Sequence, residues 1–436
     1  MTPFDVGLFA LAGMIILVVA GMYVPIALML ASFLGVWAIK GSPELAAKML
    51  GLAANDAIAS YFFGVVPLFV LMGFIVSESG MGRDAFDVAN AMFRRIKGGL
   101  GVGTIAANAV FAAVTGISIA SAAVFTRIAV PEMRRHGYTA RFSVGVVAGS
   151  SVLGMLIPPS LLLILFGLLT EQSIGDLFVA GIGPGILLAV CFAVGTIAMA
   201  TFAPGFVGQS LSADTTEYSP MDLILKGLPI TALIGLVLGG IYAGWFTPVE
   251  AGAIGAIGAL AIGLLKRRLS LKALGRVLVD TGLVTASVCF LIIAAQMYSR
   301  MLAFSGLPNA FGELASTAEL GLTGLIVLYV GIVILMGMIL DSSSIMLILV
   351  PLMLPIIVPM GVDLVWFGVV TVIAVEVGLL TPPFGISVYV IKSTLDNDDI
   401  SLTDIFIGAA PFALIMLFCL ALIIFFPPIA TGLLAR

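Results

Sequence analysis

SSVLGMLIPPS (150–160) and EVGLLTPPFG (376–385) read as one motif written twice. Each is an apolar run of membrane-helix character that ends in a proline doublet. No unbroken helix accommodates such a doublet, because two amide donors are lost and the preceding turn is crowded. Sliding the chain over itself by 224 positions lays Pro158-Pro159 on Pro382-Pro383, Gly154 on Gly378 and Pro131 on Pro355. A shift of 223 lays Pro25 of GMYVP on Pro248 of GWFTP. One half of the chain is thus a copy of the other, and duplicated membrane halves with segments interrupted by Gly and Pro are the pattern of secondary transporters.

Composition agrees. Of 436 residues, 61% are hydrophobic and 10% charged, which no water-soluble surface tolerates at this length. Long uncharged runs recur from end to end, and alternating polar and apolar residues are absent. The expectation is an all-α polytopic membrane protein and not a barrel. The first apolar run has no Lys or Arg before it and no cleavage pattern after it, so it reads as a retained helix. Cys191, Cys289 and Cys419 lie singly in apolar runs and read as packing residues.

Basic residues orient the chain. They gather at Arg83, Arg94, Arg95 and Lys97, at Arg134, Arg135 and Arg141, and at Lys266, Arg267, Arg268, Lys272 and Arg276. Cytoplasmic loops collect such residues, so all three clusters are placed inside. The segment 98–133 then starts and ends on one side, and its midpoint TGISIASAA has no charge and no loop-like length. It reads as a re-entrant hairpin, with small residues at a tip that protein or a water-filled cavity must cover. GMILDSSSIM is the matching tip in the second half. Five crossings plus one hairpin per half invert the second copy and leave both termini outside.

The resulting division is a first inverted-topology repeat, 1–220, and a second, 221–436. The first holds scaffold helices in 5–40, a surface arm at 81–97, a hairpin at 98–133 and a broken helix at 142–170. The second holds scaffold helices in 226–265, an arm at 305–318, a hairpin at 319–358 and a broken helix at 362–392.

Chemistry concentrates where hairpin tips meet helix breaks. Proline doublets free carbonyl oxygens, which with tip hydroxyls suit a cation such as sodium, while amino termini of half-helices suit an anionic substrate. The bland reading, a kink for packing, explains one doublet better than two at a single repeat offset. Asp341 and Glu376 lie in apolar stretches, where an ionised carboxylate costs roughly 2.5 to 3.5 kcal/mol, so each needs a compensating role. Capping of the second hairpin arm or a direct ion site are the alternatives for Asp341, and Glu250 of FTPVEA reads as the cap of its own helix. Arg127 and Arg300 are candidates to face a substrate anion, against snorkelling or pairing with a hairpin carboxylate. Ser150, Ser160 and Glu376 are further substrate-facing candidates. GGLGVG (98–103) lacks a following GKS or GKT and reads as close helix packing, and no Walker motif occurs, so neither ATP nor nucleic acid is expected.

ISIASAAVFTRIAVPEMRRHGY, LGMLIPPS and LTEQSIGDLFVAGIGPG in the first half, with FTPVEAGA, MGMILDSSSIMLILVPLMLPI and EVGLLTPPFGISVYV in the second, resemble the large membrane subunit of tripartite ATP-independent periplasmic (TRAP) transporters. The resemblance covers nearly the whole chain. It implies an elevator-type secondary transporter of the bacterial inner membrane, coupled to sodium (Na+). It also implies a small four-helix membrane subunit as partner, and a periplasmic binding protein that delivers a carboxylate solute of the C4-dicarboxylate, sugar acid or sialic acid class. Carried over by position, one sodium site falls on Gly116, Ser118, Ser121, Gly154 and Pro158. The other falls on Asp341, Ser342, Ser343, Gly378, Thr381 and Pro382. The chain departs from the family pattern at Ile117-Ser118-Ile119, where adjacent hydroxyl residues are usual, and at Arg127, where a small residue is.

Three other readings compete, of which a channel is disfavoured because the repeated broken helices predict saturable transport and not a continuous pore. A sodium- or proton-coupled anion carrier that needs no binding protein shares hairpins and inverted repeats. An intramembrane hydrolase using the serines beside Asp341 lacks a nearby His or Lys to activate them, so no enzyme is expected.

Overall fold

The computed structural model describes residues 1–208, 219–317, 321–395 and 399–434. Residue 318 of the expected arm, residues 319 and 320 of the expected hairpin, and Arg436 lie outside that set. Among the described residues every regular element is helical, apart from an isolated antiparallel bridge between Tyr138 and Gly208.

In the first half, α1 (Pro3–Val19) and α2 (Val24–Lys40) are followed by α3 (Pro43–Ala59), a 3-10 turn (Tyr61–Gly64) and α4 (Val65–Glu78). The amphipathic α5 (Met81–Phe93) leads into a hairpin of α6 (Gly99–Thr115) and α7 (Ser118–Arg135). A broken helix follows, made of α8 (Ala140–Ser151), α9 (Leu153–Leu156) and α10 (Leu161–Thr170), then α11 (Ile174–Phe202) and the short α12 (Pro204–Val207). The second half repeats the order with α13 (Pro220–Tyr242), α14 (Pro248–Leu265), α15 (Leu271–Ser305) and α16 (Leu307–Thr317). Its hairpin is α17 (Leu322–Gly337) and α18 (Ser342–Ile357), and its broken helix is α19 (Leu364–Leu380) and α20 (Ile386–Thr394). α21 (Leu402–Phe425) and α22 (Pro428–Thr431) complete the chain.

Between the scaffold helices and the arm, each half carries an element that the sequence reading leaves unnamed. In the second half it is α15, one helix of 35 residues, roughly 50 Å long at 1.5 Å per residue. In the first half the equivalent stretch is interrupted at Ser60, whose extended backbone separates α3 from the 3-10 turn and α4.

Local sequence sets the helix starts. Thr2 with Asp5, Thr247 with Glu250 and Ser401 with Asp404 form reciprocal capping boxes, so Glu250 does cap its own helix. Pro follows the cap at Pro3, Pro43 and Pro248, where its missing N–H costs nothing.

The interior is built from the hairpins, the broken helices and the last long helix of each half. Of the most apolar window in 140–170, 83% is buried, against 28% in α13, which places the first inside and the second at the lipid boundary. Aromatic pairs lock this inner bundle: Phe111 on Phe125 within the first hairpin, Phe166 on Phe367 between α10 and α19, and Phe192 on Phe412 between α11 and α21. Small residues bring backbones together, as where Gly145 of α8 lies on Gly408 of α21. The Gly98 to Gly103 run likewise thins α6, and a Cβ on Gly103 would come within 3.2 Å of the Asn90 backbone.

Candidate functional site

The first tip is a sharp turn between α6 and α7. Gly116 takes it in the left-handed region at φ +66°, where a side chain is strained, and a Cβ there would strike the Pro159 carbonyl. The tip is stitched to the break by a hydrogen bond in which Leu161 N–H donates to the Gly116 carbonyl at 3.1 Å. On the other side of the tip, Gly154 lies under Ile117 and Ser118, where a Cβ would come within 3.1 Å of the Ile117 carbonyl. Pro158 cannot donate to the Gly154 carbonyl four residues earlier, nor Pro159 to that of Met155. The Ser160 hydroxyl takes up the Met155 carbonyl and also accepts from Leu163 N–H at 3.3 Å, capping α10. Ser118 and Ser121 lie one turn apart on one face of α7, both fully buried, and the Ser121 Oγ has no hydrogen-bond partner.

The second tip repeats the stitch. Phe384 N–H, just past the Pro382-Pro383 break, donates to the Met338 carbonyl at 3.2 Å. Gly337 of the hairpin and Gly378 of the broken helix meet backbone to backbone, where a Cβ on Gly337 would lie 2.7 Å from the Gly378 Cα. Asp341 is the N-cap of α18: its carboxylate accepts from Ser344 N–H at 3.1 Å and from the Ser344 hydroxyl. Ser342 is buried and Ser343 half-buried beside it. Thr381 closes α19, its N–H donating to the Gly378 carbonyl at 3.0 Å and its hydroxyl to the Val377 carbonyl at 2.7 Å. The two breaks differ in cover. Pro158 and Pro159 are buried, whereas Pro382, Pro383 and Phe384 are exposed, and Phe384 lines an open recess of about 420 Å³ with Ile339, Tyr389 and Ser393.

The halves interlock at these junctions. α10, beyond the first break, packs on α18 of the second hairpin, and α20, beyond the second break, packs on α7 of the first. Glu376, on α19, is 1% exposed and reaches the first tip, accepting from the Ser118 hydroxyl at 3.4 Å.

The remaining sequence candidates are dispersed. Ser150 is buried, donates to the Val146 carbonyl at 2.7 Å and accepts from Asn108 Nδ2 at 2.6 Å. Arg127 is exposed, with no ion pair among the described residues. Arg300 is tied to α3, pairing with Asp56 at 2.5 Å and donating to the Met49 carbonyl at 3.2 Å. It lines a crevice of about 700 Å³ with walls from α3 and α15 and from the α10–α11 corner and α18, and Ser60, Gln172, Gln296 and Ser299 also line it. The sequence reading passed over Asn108 and Ser387, both fully buried with an unpartnered oxygen. An Asn inside the apolar run of α6 is the one feature that marks the first of them in advance.

Both junctions offer only oxygen donors, and among the described residues no group of three His, Cys, Asp or Glu side chains is placed to hold a metal. Comparison with known proteins agrees with this architecture. Residues 11–429 match the family described as "Tripartite ATP-independent periplasmic transporter, DctM component". A C4-dicarboxylate TRAP transporter large permease protein of Pseudomonas aeruginosa is 32% identical over 90% of this chain and 90% of its own. An ectoine TRAP transporter large permease protein of Halomonas elongata is 30% identical over 96% of each, and a sialic acid one of Vibrio cholerae 29% identical over 88% and 87%. Among solved structures, the YdaH transporter of Alcanivorax borkumensis superposes with a TM-score of 0.61 at 13% identity, covering 87% of this chain and 88% of that one, which is a likeness of fold. The chain belongs to the DctM-component family of tripartite ATP-independent periplasmic transporters, as a multi-pass large permease subunit of the inner membrane.

Proposed function

We propose that this chain carries out sodium-coupled uptake of a small carboxylate-bearing solute by an elevator mechanism. In this reading a periplasmic binding protein delivers the solute, a small four-helix membrane subunit braces the permease, and both termini face the periplasm. The observation that carries it is the repeated junction of tip and break: Leu161 N–H on the Gly116 carbonyl in one half, Phe384 N–H on the Met338 carbonyl in the other. Each junction gathers oxygen ligands that suit a hard cation. At the first these are the carbonyl freed by Pro158 and the Ser118 and Ser121 hydroxyls. At the second they are the carbonyls around Gly378 and Thr381, with Ser342, Ser343 and Asp341.

The inverted relation of the halves is supported by packing. α11 and α21 hold the same place in each half, yet they run antiparallel: Gly195 faces Ile415 while Gly183 faces Ile429. In a negative-inside membrane, each net positive charge moved inward gains about 2.3 kcal/mol per 100 mV, so several sodium ions with one anion drive accumulation. Relatives named for C4-dicarboxylates, ectoine, sialic acid and 2,3-diketo-L-gulonate, all carboxylates, support a carboxylate as the solute.

The test is uptake of a radiolabelled panel of those carboxylates into proteoliposomes holding this chain with its small subunit and binding protein, under an inward sodium gradient. Uptake that needs all three proteins and the gradient is expected. Uptake by this chain alone would favour the independent carrier, and uptake indifferent to sodium would remove the coupling.

A further inference from the structure

We propose that the Glu376 carboxylate, contributed by the second half, is the counter-charge of the cation site at the first hairpin tip. This rests on the sodium reading above and adds to it a ligand from the opposite repeat.

The starting observation is an imbalance. Glu376 lies in α19, five residues before Thr381, and is 1% exposed inside the bundle. Its Oε1 accepts one long hydrogen bond, 3.4 Å, from the Ser118 hydroxyl, and its Oε2 has no partner. No Lys, Arg or His among the described residues forms an ion pair with it. A buried carboxylate held by a single weak neutral donor is far from satisfied, so the site calls for a positive partner. One turn along α7 from Ser118, the Ser121 hydroxyl is buried and equally unpartnered. Two orphan oxygens, on Glu376 and on the Ser118 face of α7, are what a bound cation would satisfy.

The tip supplies the rest. α7 begins at Ser118, so its amino end favours the negative charge of Glu376. α6 ends at Thr115, so its last carbonyls lack intrahelical donors, and the Gly154 carbonyl has lost its own to Pro158. Carboxylate, hydroxyls and freed carbonyls at one tip make an all-oxygen ligand set that suits a small hard cation.

The repeat shows why this carboxylate has to come from the other half. A shift of 224 sets Asp341 of the second tip on Ile117 of the first, and Glu376 on Val152. The second hairpin carries its own acid, and the first carries none. Glu376 gives each tip one carboxylate, and makes the first site complete only while α19 and α7 are in contact.

The experiment is a sodium-22 binding isotherm on the purified full chain in detergent, at constant ionic strength with choline as replacement, so that no transport is needed. Wild type is expected to bind sodium saturably. Glu376→Gln is expected to abolish one class of site or weaken it by roughly tenfold or more. Asp341→Asn is expected to leave that class in place. An isotherm for Glu376→Gln that superimposes on wild type overturns the proposal while leaving the sodium reading intact. Absence of saturable sodium binding in the wild type sinks both. If Glu376→Gln cannot be purified, Glu376→Asp, which keeps the charge on a shorter arm, is expected to weaken the same class severalfold, and an unchanged isotherm overturns the proposal.

Discussion

Gly116 and Asp341 do the same architectural job at the two tips by different chemistry. Gly116 turns the first tip with a left-handed backbone, so Gly116→Ala adds about 1 kcal/mol of conformational strain, before the Pro159 carbonyl obstructs the new methyl. The variant is expected to melt below wild type and to lose most sodium-dependent uptake, and unimpaired uptake would show that the stitch to the break is dispensable. Asp341 starts the second arm as an N-cap, so Asp341→Asn, an equally good cap, is expected to keep wild-type thermal stability. Asp341→Ala is expected to lose about 1 kcal/mol. Equal melting of all three proteins would refute the capping role. At this scale the sequence was informative where chemistry is local. A proline doublet breaks a helix wherever it lies, and an Asp before three serines announces a cap. The bond between Ser118 and Glu376 spans 258 positions, and no periodicity or spacing brings those two side chains together. The pairing of Arg300 with Asp56 spans 244 positions and is out of reach of local pattern for the same reason.

The arm helix α5 shows how one element is fastened to a remote one. Asp84 is 2% exposed and accepts from Lys266 Nζ at 2.6 Å and from Arg268 at 2.9 Å, while Asp87 pairs with Lys226 at 2.5 Å. Basic residues that sequence reading used only to orient the chain thus clamp the first arm to the α13–α14–α15 corner of the other half. Asp84→Ala leaves two cations facing an apolar gap, and because both are partly exposed the loss is expected at about 1 to 3 kcal/mol, below that of a fully buried pair. Adding Lys266→Met should restore part of the melting temperature, since it removes one of the stranded charges. Strictly additive losses in that double-mutant cycle would mean that the pair is not coupled. Elements with strong local markers are the most legible: the gaps between α9 and α10 and between α19 and α20 fall at the two proline doublets. The α3–α4 corner is not. The first half breaks at Ser60 and the second continues as α15, and no Pro or Gly at that position marks the break in advance.

At the scale of the molecule, the 700 Å³ crevice marks the boundary across which sliding must occur if the elevator reading holds. Asp56 of α3, Ser60 just beyond it and Arg300 of α15 line it, while Gln172 and Glu171 line it from the α10–α11 corner that would move with the first break. A rigid carrier keeps these two walls at one separation, whereas an elevator changes it in every cycle. Take a protein in which Cys191, Cys289 and Cys419 are replaced by Ala and cysteines are introduced by Ser60→Cys and Gln172→Cys. Bridging that pair with a short bifunctional thiol reagent is expected to abolish uptake. The control joins two points on the same side of the boundary. Tyr61 and Thr247 already touch through their hydroxyls at 3.3 Å, between the 3-10 turn and the start of α14, so a bridge made by Tyr61→Cys and Thr247→Cys should leave uptake within about twofold of the unbridged protein. Uptake that survives the bridge across the crevice would mean that its walls do not separate, and transport would then have to run through local opening of a hairpin tip. Loss of uptake with both bridges would place the moving boundary elsewhere, on the far side of α14.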